Sequence, residues 1–147
     1  MANTFTLNSA TSYEGRYMYV SCTQTINIAS NTSTIDWTLT VTGGEVNNYS
    51  TGPTTLKING TQVYYMPKKA WDTYEFPAVK GSVSGSITVP HNTQGEATIE
   101  VSLTTNIYTG VLKTASSNWT LDTIPRQASI TSAPSFRSDV ANVCRKT

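Results

Sequence analysis

The 147 residues carry ten Lys and Arg against nine Asp and Glu, a net charge of +1, with 13% charged and 37% hydrophobic residues. A chain of this length builds one domain with its own core. With no basic run beyond Lys68-Lys69, it offers nucleic acid no electrostatic footprint. The remainder is rich in 26 Thr, 16 Ser and 11 Asn, which suits a β-protein with a neutral, hydroxyl-rich exterior.

The opening "MANTFTLNSA" lacks the basic start and apolar middle of a signal peptide, and no apolar run is long enough to span a membrane. The expectation is a chain made in a cytoplasm, without membrane insertion. Next, "MYVSCTQTINIA" sets Met18, Val20, Cys22, Ile26 and Ile28 on one face, with Gln24 as an interruption. In "TSTIDWTLTVTGG", Ile35, Trp37, Leu39 and Val41 alternate with Asp36, Thr38 and Thr40. "TTLKINGTQVYYM" gives Leu56 and Ile58, the turn Asn59-Gly60, then Val63 and Tyr65; Asn-Gly between alternating runs is a strong hairpin signal.

The stretch from Tyr64 to Phe76 fits neither period and holds five of the 14 aromatic residues. One reading makes it a crossing whose Trp71 or Phe76 plugs the open end of the core. The other makes Lys68, Lys69, Trp71, Asp72 and Tyr74 a partner-binding set on a loop held by a rigid scaffold. Beyond it, "SVSGSITVP" aligns Val83, Ile87 and Val89, with Gly85 marking a bulge or a close backbone approach. "GEATIEVSLTTN" aligns Ala97, Ile99, Val101 and Leu103, and "SNWTLDTI" closes the set with Trp119 and Leu121.

About seven to nine short strands separated by regular turn signals predict an all-β, antiparallel sandwich over residues 1–126, with a closed barrel as the other arrangement that alternation permits. After Ile124 two prolines stand among Ser, Thr and Ala, so residues 127–147 read as an irregular linker or assembly tail. Cys22 lies in a strand and Cys144 in that tail, which predicts one buried and one loose thiol rather than a disulfide.

Chemistry-bearing constellations are missing from the sequence. His91 is the sole histidine, set in the turn "VPHNTQGEA", where its ring is expected to cap a neighbour or meet solvent. The nine carboxylates are scattered, and neither metal-ligand spacing, a phosphate loop nor a nucleophile elbow occurs. No catalytic residue, metal or cofactor is therefore expected. The Asn-x-Ser/Thr triplets at Asn31, Asn48, Asn59 and Asn118 read as turn chemistry.

Four segments stand in a telling order: "NTSTIDWTLTV" at 31–41, "LKINGTQV" at 56–63, "VPHNTQGEATIEVS" at 89–102 and "LDTIPRQA" at 121–128. Together, over about residues 3–130, they resemble the immunoglobulin-like β-sandwich module of minor structural proteins in tailed phages with long non-contractile tails. The resemblance implies an immunoglobulin-like or jelly-roll-type sandwich. In it, Ile-x-Trp-x-Leu is a core strand, Ile-Asn-Gly a hairpin, His-Asn-x-x-Gly a turn before a strand, and Thr-Ile-Pro-Arg a closing strip. The family's turn carries Asp-Gly where this chain has Gln94-Gly95, which tells against a cation there.

The function implied is a non-enzymatic virion component of tail, fibre or capsid exterior, whose partners are other virion proteins or copies of itself, with attachment to a host-surface glycan as a further role. The alternative is a carbohydrate-binding sandwich that stacks exposed aromatics, Trp71 and Tyr74 first, on cell-wall sugars.

Overall fold

A computed structural model describes residues 3–13, 16–42, 53–67, 82–106 and 112–126. Eight strands run through them: β1 (Thr4–Tyr13), β2 (Arg16–Asn27), β3 (Thr32–Thr42), β4 (Thr54–Ile58), β5 (Thr61–Met66), β6 (Ser82–Pro90), β7 (Thr98–Thr105) and β8 (Lys113–Thr120). They pair antiparallel in two four-stranded sheets, ordered β1-β2-β3-β6 and β5-β4-β7-β8. Two sheets rather than one closed ring make this a sandwich. Among the described residues none is helical, and so no helix there is long and apolar enough to cross a membrane.

The core follows the period of two. Met18, Val20 and Cys22 of β2 and Ile35, Trp37, Leu39 and Val41 of β3 face Leu56, Ile58, Ile99, Val101 and Leu103 of the other sheet, all buried. Burial pushes the Cys22 thiol up from its ordinary value of 9.0 to about 12, because the thiolate would have to form among apolar side chains. The folded chain thus holds this proton where the unfolded chain has released it. The resulting stabilisation is complete below about pH 9 and is lost as pH rises through 12. Two results are expected: native Cys22 reacts with a thiol reagent on the order of a hundredfold more slowly than unfolded Cys22, and Cys22→Val flattens the fall of stability above pH 9. Equal reaction rates in the native and unfolded chains would contradict this burial.

Two strands depart from simple alternation. In the β4–β5 hairpin, Asn59 and Gly60 both take positive φ (54° and 79°), the type I′ geometry that Asn-Gly favours. Leu56 then opposes Tyr64 while Lys57 opposes Gln62, so Val63 is an extra residue in the ladder. The bulge shifts the phase: Val63 and Tyr64 pack against the core, Met66 is buried, and Tyr65, expected to face inward with Val63, is 52% exposed. The second departure is the length of β2. It ends at Asn27, so Ile28, aligned by spacing with the inward set, stands exposed in the turn that follows.

Gly85 sits in an unbroken ladder directly opposite Trp37, so it marks a close approach and not a bulge. A Cβ there would lie 2.6 Å from Cζ2 of the indole, which occupies the space a side chain would need. The Trp37 ring also meets Tyr64, with centroids 6.3 Å apart and planes tilted by 58°. The side chain thus leans toward the β5/β6 flank of the sandwich.

Candidate functional site

Three of the five buried polar side chains among the described residues, Gln24, Ser33 and His91, gather at the end of the sandwich where β3 begins and β8 runs out. Gln24, the residue that interrupts the apolar face of β2, points inward and is buried. Its Nε2 donates to Ser33 Oγ (2.8 Å) and to the Asp122 carbonyl (3.2 Å). Its Oε1 accepts from Asn3 Nδ2 (3.0 Å) and the Asp122 N–H (2.8 Å). Asn3 completes this side by donating to the Thr120 carbonyl and accepting from Trp119 Nε1 (3.2 Å). One glutamine amide thereby ties together the start of β1, β3 and the segment after β8.

His91 continues the chain of bonds. Its Nδ1 lies 2.8 Å from the Gly95 carbonyl, which can only accept, so the partners assign the proton to Nδ1. Nε2 then accepts from Ser33 Oγ at 2.8 Å. The ring is buried, held at both nitrogens, and so caps its neighbours instead of meeting solvent. Around it, the Asn92 side chain accepts from the N–H groups of Gln94 and Glu96, which closes the turn, and the Asn31 amide donates to the carbonyls of His91 and Asn92. Gly95, at φ 83°, accepts from the Ile124 N–H (2.8 Å), and Leu121 and Ile124 are buried against this end.

A serine hydroxyl 2.8 Å from a histidine whose far nitrogen is fixed has the outline of an activated nucleophile. Its surroundings argue for a different use. Ser33 has no exposed surface, its oxygen already accepts from Gln24, and the orienting group is a backbone carbonyl that cannot stabilise an imidazolium as a carboxylate would. What the arrangement can do is lock strand ends together: the Gln24 amide, the Ser33 hydroxyl and both His91 ring nitrogens have partners, while Asn31 Oδ1 is buried without one. Ser33→Ala should leave His91 Nε2 without a donor and cost about 1–3 kcal/mol in a denaturant titration. An unchanged midpoint would remove the network from any role in stability.

Of the residues singled out by sequence as a binding set, Lys68, Lys69, Trp71, Asp72 and Tyr74 lie outside the described residues, as do Phe76, Cys144 and the proposed tail 127–147. Among the described residues, no three His, Cys, Asp or Glu side chains gather as a metal site requires. Sequence reasoning missed Gln24, Ser33 and Asn3. The available signal was a polar residue at an inward position of an otherwise apolar face. A second aromatic surface was also missed: Tyr17 and Tyr19, half-buried on the outer face of β2, have ring centroids 6.1 Å apart and share that face with Thr40. No protein-family model, curated protein or solved structure matches the chain.

Proposed function

We propose that the chain is a non-enzymatic structural module of a tailed-phage particle, used in several copies as a rigid β-sandwich. The reading rests on the sequence resemblance, and the described parts of its four segments are compatible with it. Ile35, Trp37 and Leu39 form a core strand, and Asn59-Gly60 turns a hairpin. His91 to Gly95 is the turn leading to β7, and Ile124 seals the end of the domain on Gly95. The closed environment of Ser33 and His91 supports a role without turnover. Antibodies raised against the purified chain are expected to label tailed-phage particles from its source at one fixed station. Particles that lack the chain would overturn the reading.

The carbohydrate-binding alternative draws support from the Tyr17–Tyr19 pair, since two neighbouring rings on a hydroxyl-rich face suit stacking against sugar rings. Isolated cell walls separate the possibilities. A Trp71→Ala, Tyr74→Ala variant and a Tyr17→Ala, Tyr19→Ala variant, each matched in stability to the parent, are to be compared with it. Loss of wall binding in one variant would assign the glycan surface to that pair. Absence of binding by the parent chain would remove the alternative.

A further inference from the structure

Of the eleven asparagines, Asn59 alone is followed by glycine. That pair is the two-residue loop between Ile58 and Thr61, the last paired positions of the β4–β5 hairpin. Both residues are exposed, and a Cβ built on Gly60 meets nothing within 4 Å. The side-chain amide of an asparagine is an electrophile within reach of the next backbone nitrogen. A single bond from the Gly60 nitrogen to Asn59 Cγ closes a succinimide ring. Glycine leaves that nitrogen unhindered, where a side chain would crowd the attack.

The folded turn opposes this closure. Asn59 has φ 54°, and in the left-handed region a Cβ lies beside its own residue's carbonyl oxygen. With the oxygen on the side-chain side of the Cα–C bond, the Gly60 nitrogen lies on the far side, away from Cγ. Ring closure therefore requires rotation about that bond, which swings the Asn59–Gly60 peptide out of the turn. Ile58 pairs with Thr61, and the Asn59 N–H donates to the Glu100 carbonyl (2.9 Å), so the turn resists the rotation. Between the turn and the Val63 bulge only two pairs, Lys57–Gln62 and Ile58–Thr61, hold the tip. A local opening there need not unfold the sheet.

We propose that Asn59 is a self-modification site gated by the β4–β5 turn, spared while it is left-handed and converted when the loop opens. In the open loop the Gly60 nitrogen attacks Asn59 Cγ and gives up its proton. The C–N bond forms, the Cγ–Nδ2 bond breaks, and the side-chain nitrogen leaves as ammonia with that proton. Water then hydrolyses the succinimide. Cleavage of the new bond restores the ordinary backbone with aspartate at position 59. Cleavage of the original peptide bond leaves the main chain running through Cγ, as isoaspartate. No oxidant or reductant enters. Either product adds one carboxylate, so the net charge of +1 falls by one to 0. Isoaspartate also lengthens the main chain between Ile58 and Thr61, and the two-residue turn cannot re-form around it. The inference rests on the turn alone, and holds whether or not the chain belongs to a phage particle.

Peptide mapping by mass spectrometry tests it, with the full chain held at mildly alkaline pH both folded and in denaturant. Asn59 should convert on the order of tenfold or more faster in the unfolded chain, because the folded rate follows the open population. In denaturant it should also outpace Asn92 and Asn118, which are followed by Thr93 and Trp119. Gly60→Ala should suppress the conversion in denaturant, where turn strain plays no part. Asn59→Asp reproduces the product with the ordinary backbone and should keep the hairpin, since Asp-Gly suits the same turn. The isoaspartate form, isolated after refolding, should instead show faster amide exchange over 54–66. Equal rates in the folded and unfolded chains would overturn the gate. A rate at Asn59 no higher than at Asn92 and Asn118 in denaturant would overturn the site itself.

Discussion

Trp37→Ala should lower stability by about 3–5 kcal/mol, the range for emptying the site of a buried aromatic ring. That approaches the whole stability of many domains of this size. The indole is 4% exposed, packs on Tyr64 and fills the volume above Gly85 on the neighbouring strand. Because the vacated space lies over a glycine, the two positions should be coupled. In the parent, Gly85→Ala drives a Cβ into a ring held on all sides and should cost about 1–3 kcal/mol. In the Trp37→Ala background the same methyl enters empty space, and its cost should vanish. A double-mutant cycle by chemical denaturation measures this directly. Additive losses would show that the ring and the glycine do not share one volume.

How much of this was legible in the sequence divides along one physical line. Strands whose buried residues recur every second position, such as Ile35 to Val41 and Ile99 to Leu103, declare their face without ambiguity because burial and pleat agree. β5 did not, since the bulge at Val63 changes the phase and nothing local in Gln-Val-Tyr-Tyr marks where the extra residue falls. β1 was also unassigned. Only Phe5 and Leu7 point inward before Ser9, which accepts a bond from the Met18 N–H at 3.1 Å where the register breaks. The polar end was hidden for another reason. Gln24, Ser33, His91 and Asp122 come from four separate places in the chain, and each looks dispensable until the fold brings it to the others. Gln24 was visible only as an exception to a pattern, and such exceptions at inward positions are where buried networks should be sought.

Gly95→Ala tests how firmly that end is closed, and Gly60→Ala supplies its control. Both glycines have positive φ, 83° and 79°, so both substitutions carry the penalty of placing a Cβ in the left-handed region, about 1–2 kcal/mol. At Gly60 the methyl meets nothing within 4 Å. At Gly95 it falls on the Ile124 carbonyl oxygen, so residues 121–126 must move away from the turn. That movement lengthens the Ile124 N–H bond to the Gly95 carbonyl and disturbs the oxygen that holds His91 Nδ1. It also uncovers Ile124, which has no exposed surface in the parent. Gly95→Ala should therefore exceed Gly60→Ala by roughly 2 kcal/mol in a denaturant titration, and amide exchange should quicken at residues 121–126 in the first variant only. Equal costs in the two variants would mean that the closing strip rests on the turn without being locked by it. Ile124 and the His91 bonds would then contribute to the fold separately, not as one latch.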